Sequence, residues 1–141
     1  MYLKQISVFL ENRPGALLEM VRVLGEQHIN MRAFSLAETS EFGIARIIVG
    51  EVERASAVLK QAGYVSSVTP VLAVEIPDAP GGLEQALEAL NAEQVNVEYM
   101  YAFVGPQQKC AYMIFRVTDN DRAALALERC GIRLADMEAL N

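Results

Sequence analysis

The order of hydrophobic and polar positions along the chain predicts a regular series of strands and helices. Residues 3–10 are β-favouring, and Leu17, Val21 and Leu24 then recur at the spacing of one helix face. Both helices of the first half are apolar on one side only, so they are expected to cover one face of a sheet. The pattern of the first half predicts strand 3–10, helix 15–27, strand 30–37, strand 43–49, helix 52–62 and strand 64–69.

The second half of the chain repeats this βαββαβ order. The expected fold class is therefore α+β, with two ferredoxin-like βαββαβ repeats, antiparallel sheets and helices on one face. Two small domains follow, residues 1–69 and 70–141, joined without a flexible linker. The pattern of the second half predicts strand 71–76, helix 81–93, strand 96–103, strand 110–118, helix 120–130 and a short strand near 133–138.

The repeat is visible in the residues themselves. A Pro-Gly pair at 14–15 returns at 80–81, and Asn96 repeats Asn30 at the same offset of 66 residues. The offset rises to 68 in the last third of the chain, so two residues are inserted in the second hairpin link, 104–109. An internal repeat of this length indicates one compact unit used twice.

The first Pro-Gly pair lies at a strand-to-helix junction. Pro14 suits a first helical turn because its missing N–H has no acceptor there. Gly15 lets a ligand approach closely, and the N–H groups of Gly15, Ala16 and Leu17 then face a helix dipole that favours anions. This junction is either a cradle for a carboxylate or a plain strand–helix turn.

Composition excludes some classes of partner and compartment. A net charge of −6 and a sequence pI near 4.8 argue against nucleic acid, which needs clustered basic residues. No apolar run reaches membrane-spanning length, so no membrane partner is expected. The N-terminal residues enter a strand without a signal-peptide pattern, which predicts a cytoplasmic protein. Cys110 and Cys130 have no partner at metal or redox spacing and are expected to be small core residues.

Catalytic chemistry finds little support in the sequence. His28 is the single histidine, and it is expected to cap a helix or to line a ligand site. No serine or cysteine stands with a recognisable base and orienting group. Metal-ligand clusters and glycine-rich nucleotide signatures are missing from the sequence as well. The chain is therefore not expected to be an enzyme or to carry a cofactor.

Two segments of the chain resemble a known family. The first is Val-Phe-Leu-Glu-Asn-Arg-Pro-Gly-Ala-Leu at 8–17 with Gln-His-Ile-Asn-Met at 27–31, and the second is 75–83 with Val-Asn-Val at 95–97. Both are similar to the ACT domains, small ligand-binding modules of amino-acid metabolism. In that family an Asn/Asp-x-Pro-Gly-x-Leu turn leads into a helix, and Ile-Asn opens the next strand. The resemblance implies amino-acid or other small-molecule binding at a domain–domain interface, usually in the regulation of an enzyme.

The resemblance also implies which residues bind. A ligand carboxylate would meet the N–H groups of residues 15–17, and Asn30 or Asn96 would contact the ammonium or the carboxylate. The alternative for each asparagine is a helix-end residue that tolerates left-handed backbone. In the first copy the implied site residues are Asn12, Arg13, Pro14, Gly15, Ala16, Leu17, Asn30 and Met31. In the second copy they are Asp78, Pro80, Gly81, Gly82, Leu83, Asn96 and Val97.

The two copies differ at the turn. Asp78 replaces Asn12, Ala79 replaces Arg13 and Gly82 replaces Ala16, so the second turn is expected to hold another part of the ligand or nothing.

The second edge strand is aromatic where the first is small. Tyr99, Tyr101 and Phe103 alternate along it, and they either line a pocket or pack at an interface. Met100 is expected to point into the core.

Two functions agree with these observations. The first is a small-molecule-binding regulatory or sensor protein, without catalysis of its own, whose ligand is an amino acid or a related small carboxylate. The second is an interaction or assembly subunit of a metabolic enzyme with vestigial ligand sites. In either case a homodimer or larger assembly through sheet edges is expected, and the regulated enzyme would be encoded separately.

Overall fold

The computed structural model describes residues 2–104 and 110–138. It has the predicted α+β fold, with antiparallel strands and two βαββαβ-like units. The predicted hairpin link 104–109 lies, apart from its first residue, outside the described residues. The elements are β1 (Leu3–Glu11), α1 (Ala16–Glu26), β2 (Met31–Glu38), β3 (Phe42–Val49), α2 (Val52–Gln61), β4 (Ser66–Pro77), α3 (Gly82–Ala92), β5 (Val97–Val104), β6 (Cys110–Val117), α4 (Asn120–Arg129) and β7 (Arg133–Ala135).

The chain forms two compact units. One unit is residues 4–69, and the other is residues 70–141 together with residues 1–3. The sequence predicted two strands with a break at Pro70, but a single strand, β4, spans Ser66–Pro77. Proline removes one N–H donor from a strand, yet its fixed φ is compatible with extended backbone, so Pro70 does not end β4.

In the first unit, β3 lies between β1 and β2, and both pairings are antiparallel. The alternation of β1 sends every second side chain toward the two helices, so that this face forms the core. β2 lies at the edge, as the sequence predicted. The core contains Ile6, Val8 and Leu10 from β1, Ala45, Ile47 and Val49 from β3, Met20 and Leu24 from α1, and Ala55 and Leu59 from α2.

The second unit repeats this arrangement. β6 lies between β4 and β5, and β7 pairs with β4. Met100 packs against the core, as predicted. Tyr99 and Tyr101 stand opposite Arg116 and Ile114, on the face of β5 that Met100 does not use, and both are half-buried. Phe103 continues the strand, but its side chain lies outside the described part of the structure.

One cysteine prediction is wrong. Cys130 is exposed, because α4 ends at Arg129 and the chain turns through Gly131, which has φ of +74°. The side chain of Cys110, the other predicted core cysteine, falls outside the described side chains. None of the described helices is long and apolar enough to cross a membrane.

Candidate functional site

The first Pro-Gly turn has the predicted strand-to-helix form. β1 ends at Glu11 and α1 begins at Ala16, with Gly15 as its N-cap at φ +86°. A Cβ atom added at Gly15 would meet nothing within 4 Å, so the space beside the start of the helix is open. The N–H of Ala16 donates to the carbonyl of Arg13 at 3.3 Å, so one of the three amides predicted for a carboxylate is already bonded.

Arg13 is held between two carboxylates. Its Nε donates to Oε2 of Glu11 at 2.9 Å, and its Nη2 donates to Oε2 of Glu19 at 3.0 Å. The hydrogen bonds to Glu19 and then to Glu11 raise the pKa of Arg13 above its usual value. All three side chains are exposed, and ion pairs between exposed side chains contribute little to stability. Their effect is to fix the position of the guanidinium.

Asn12 ties the turn to the hairpin between β2 and β3. Its Nδ2 donates to the carbonyl of Thr39 at 3.1 Å, and its backbone N–H donates to the carbonyl of Glu41 at 3.0 Å. The same Nδ2 lies 3.5 Å from Oε2 of Glu38. An aspartate, as at position 78, could not donate these side-chain hydrogen bonds.

A groove lies between this turn and the hairpin, and we call it the hairpin groove. Its volume is about 250 Å³. It brings together four of the residues that the sequence predicted for the first site, and it adds side chains of β2 that the sequence did not indicate. The residues that characterise it are Asn12, Arg13, Ala16, Leu17, Leu36 and Glu38.

A second groove lies on the opposite flank of the same turn, beside the loop that leads into β4. We call it the β4 groove, and its volume is about 310 Å³. It shares Leu10, Glu11, Arg13 and Ala16 with the hairpin groove. Sequence reasoning missed its walls, although a phenylalanine at position 9 breaks the alternation of β1. The residues found only on this flank include Phe9, Glu19, Phe42, Tyr64 and Val65.

Two predicted residues are not brought to the turn. Asn30 is exposed and stands outside the described lining of both grooves, and Met31 packs against the core of the first unit. Neither Asn30 nor Asn96 has left-handed backbone, so the alternative that they are left-handed residues at helix ends is wrong. Apart from glycines, the residues with left-handed backbone in the described part of the chain are His28 and Gln94, each with φ of 57°.

The second turn lies close to its own backbone at Gly82. Gly81 has φ of +89°, like Gly15, but a Cβ atom at Gly82 would lie 2.6 Å from the carbonyl oxygen of Pro77. The N–H of Gly82 donates to the carbonyl of Ala79 at 3.2 Å. No arginine stands at position 79, so a fixed guanidinium like that of Arg13 is not provided there.

The other residues predicted for the second site lie in the core, at the surface or in a backbone pairing. Leu83 and Val97 pack against the core of the second unit, whereas Asp78 and Pro80 are exposed. The backbone N–H of Asn96 donates to the hydroxyl of Thr118, and its carbonyl accepts from the N–H of Thr118.

The titratable groups that the structure describes do not form a metal site. Within residues 2–104 and 110–138, no group of three His, Cys, Asp or Glu side chains is placed to hold an ion. The backbone N–H of His28 donates to the carbonyl of Gly25 at 3.0 Å, which places His28 at the end of α1. The candidate site is therefore the first turn with its two grooves.

Comparison with known proteins agrees with this architecture. The crystal structure of a protein from Bacteroides thetaiotaomicron is 35% identical, covers 99% of this chain and 96% of its own, and superposes with a TM-score of 0.92. No curated protein sequence matches the chain.

Two regulatory subunits of aspartate kinase share the fold. The one from Thermus thermophilus, in a ligand-free form, is 15% identical over 91% of this chain and 92% of its own, with a TM-score of 0.69. The one from Thermus flavus is 14% identical over 92% and 93%, with a TM-score of 0.67. A family model of the ACT domain pair matches residues 1–133, and the chain belongs to that family.

Proposed function

We propose that this protein is a cytoplasmic regulatory or sensor protein that binds an amino acid at the first turn and has no catalysis of its own. Residues 1–69 and 70–141 are its two ACT domains. Membership of the ACT family supports a regulatory role, and the geometry of the first turn supports a ligand. The observation that carries the proposal is the fixed guanidinium of Arg13 beside an open helix start at Gly15.

The chemistry of the turn suits a zwitterion. A ligand carboxylate meets the guanidinium of Arg13 and the positive end of the α1 dipole. A ligand ammonium meets a carboxylate of the turn, and Glu11 lines both grooves. A simple carboxylic acid has no ammonium group to meet a carboxylate of the turn, so an amino acid fits better.

The proposal also assigns unequal roles to the two copies. The second turn has Asp78 and Ala79 where the first has Asn12 and Arg13, so it lacks the amide and the guanidinium. Gly82 also lies against the backbone of Pro77. We therefore expect the first turn to bind and the second turn to serve mainly as a structural joint.

A second function has an observation in its favour. Phe34 and Leu36 are 53% and 50% exposed on the edge strand β2, and their partners in β3, Ile47 and Ala45, belong to the core face. Large apolar side chains at a sheet edge suit pairing with another chain. We therefore also propose a homodimer or larger assembly through β2, and an interaction with a separately encoded metabolic enzyme remains the alternative to ligand sensing.

The test of amino-acid binding is a set of thermal melts with each standard amino acid, followed by calorimetry on two matched variants. A ligand that binds the native state raises the midpoint. Gly15→Val fills the open approach to the first turn and abolishes binding. Gly81→Val has the same left-handed φ and the same open surroundings, so it carries equal backbone strain and leaves the affinity unchanged. Equal affinity in both folded variants would mean that the first turn is not the site.

A further inference from the structure

The walls of the β4 groove are exposed aromatic side chains. Phe9 is 45% exposed and Phe42 is 54% exposed. In the pairing of β1 with β3, Phe9 stands opposite Ile44 and Glu11 stands opposite Phe42, so the two phenylalanines are diagonal neighbours on one face. Phe9 also donates its N–H to the carbonyl of Val65 at 3.0 Å. Phe9, Phe42 and Val65 therefore give the groove apolar walls.

The second repeat shows that the fold does not need these side chains. At the positions that match Phe9, Phe42 and Val65, the second copy has a glutamate, a cysteine and an arginine. Those residues are Glu75, Cys110 and Arg133. The first copy has large apolar side chains at these positions, and the second copy does not. Exposing apolar surface costs free energy, so their presence points to a binding role in the first copy.

The rim of the groove carries a defined charge pattern. Glu11, Arg13 and Glu19 supply two negative charges around one positive charge. In the second copy, position 79 is an alanine and position 85 is a glutamine, so the charge pattern is lost together with the aromatic walls. A rim with an excess of negative charge is complementary to a ligand that carries an ammonium group.

Tyr64 completes the groove with a polar atom. It packs against the core of the first unit, and burial, with a further contribution from Glu19, raises the pKa of its hydroxyl. The hydroxyl is therefore neutral throughout the physiological range and can donate or accept a hydrogen bond at the groove.

We propose that the β4 groove binds the ring of an aromatic amino acid between Phe9 and Phe42, with the ligand ammonium at the carboxylates of Glu11 and Glu19. This inference rests on the proposed function and names the class of its ligand. A volume of about 310 Å³ is at the small end of known ligand sites, which suits one amino acid. Offset or edge-to-face contacts between the rings supply affinity beyond simple burial.

The experiment uses the full chain and four probes in calorimetry. L-Phenylalanine carries the ring, the ammonium and the carboxylate, phenethylamine lacks the carboxylate, phenylacetate lacks the ammonium, and L-leucine lacks the ring. L-Phenylalanine is expected to bind most tightly, and phenethylamine is expected to bind more tightly than phenylacetate. A phenylacetate affinity equal to that of L-phenylalanine would overturn the assignment of Glu11 and Glu19.

Variants locate the ring. Phe42→Ala and Phe9→Ala are each expected to weaken L-phenylalanine binding about tenfold. Phe42→Leu keeps the apolar bulk if the alanine variant does not fold, and it is expected to weaken binding in the same direction. Leu125→Ala removes an apolar side chain of similar exposure, 49%, from α4 and should change nothing.

The outcomes separate this inference from the proposed function. Binding of L-leucine or another non-aromatic amino acid that is lost in Gly15→Val but retained in Phe42→Ala would overturn the aromatic site and keep the regulator. Failure of every standard amino acid to bind the full chain would overturn both.

Discussion

His28 and Gln94 occupy the same point of the two repeats with the same backbone φ of 57°. Each follows a helix whose last turn is closed in the same way, since Ile29 donates to the carbonyl of Leu24 and Val95 donates to that of Leu90, both at 3.0 Å. These bonds form Schellman motifs, in which the left-handed position usually belongs to glycine.

The other two helices support this reading, because α2 and α4 end in the same hydrogen-bond pattern with Gly63 and Gly131 at the left-handed position. We expect His28→Gly to relieve the strain of its Cβ and to raise the free energy of unfolding by up to about 1 kcal/mol. Denaturant melts measure this change. Ligand affinity should be unchanged, because His28 lies outside the described lining of both grooves. A loss of affinity would show that His28 contacts the ligand.

Tyr2 gives the protein a dependence on alkaline pH. Its hydroxyl donates to Oδ1 of Asp121, and this hydrogen bond, followed by burial and the charge of Asp121, raises the pKa of Tyr2 from 10.0 to about 12. The folded state thus holds the phenol proton more tightly than the unfolded state. The resulting stabilisation is complete below pH 10.0 and is lost as the pH rises through about 12.

We therefore expect the difference in stability between the wild type and Tyr2→Phe to shrink over this interval. Denaturant melts at a series of alkaline pH values test this, and ultraviolet titration of the phenols gives the pKa directly. Asp121→Asn removes the charge and should return the pKa of Tyr2 toward its usual value. A difference in stability that stays constant up to pH 12 would contradict the prediction.

Much of the fold could be predicted because its signals are local and repeated. One-sided helices, alternating strands and an offset of 66 residues defined the elements to within a few residues of the observed bounds. The predictions that were wrong depend on tertiary packing or on backbone conformation. Pro70 continues a strand, Cys130 turns outward at a helix end, and the helix-end motif puts the left-handed residue two positions before Asn30.

The site was predictable only in part. The sequence indicated the turn at Gly15 and the polar residues Asn12 and Arg13, because their chemistry can be inferred from residue type. It did not indicate that Glu11 and Glu19 clamp Arg13, or that Phe9 and Phe42 stand on one face beside the turn. Such facts depend on strand register and on which side chains remain uncovered after folding, and neither is encoded in a local pattern.

The edge strand β2 provides a test of assembly. We expect sedimentation to show a species larger than the 15.5 kDa monomer. The protein concentration should be on the order of tens of micromolar, at which stable oligomers are populated. Phe34→Glu should shift this species toward monomer, because a charge would be buried at the paired edge. Leu125→Glu, a matched change on α4, should leave the assembly intact. A wild type that is monomeric at this concentration would contradict the prediction.

The last prediction concerns the glycine that begins α3. A Cβ atom at Gly82 would lie 2.6 Å from the carbonyl oxygen of Pro77 and 3.0 Å from Cγ2 of Ile76. The closer atom belongs to the backbone, so relief requires α3 to move away from β4. We expect Gly82→Ala to lower the free energy of unfolding by about 1–3 kcal/mol, the usual cost of overpacking.

Gly25 in α1 is the matched control for this substitution. It is also a helix residue, but a Cβ atom there would meet nothing within 4 Å. Gly25→Ala should therefore stabilise the protein by about 0.5–1 kcal/mol through helix propensity. Urea melts of the two variants should move their midpoints in opposite directions at an unchanged m-value. A Gly82→Ala variant as stable as Gly25→Ala would contradict the close approach of Gly82 to the carbonyl of Pro77.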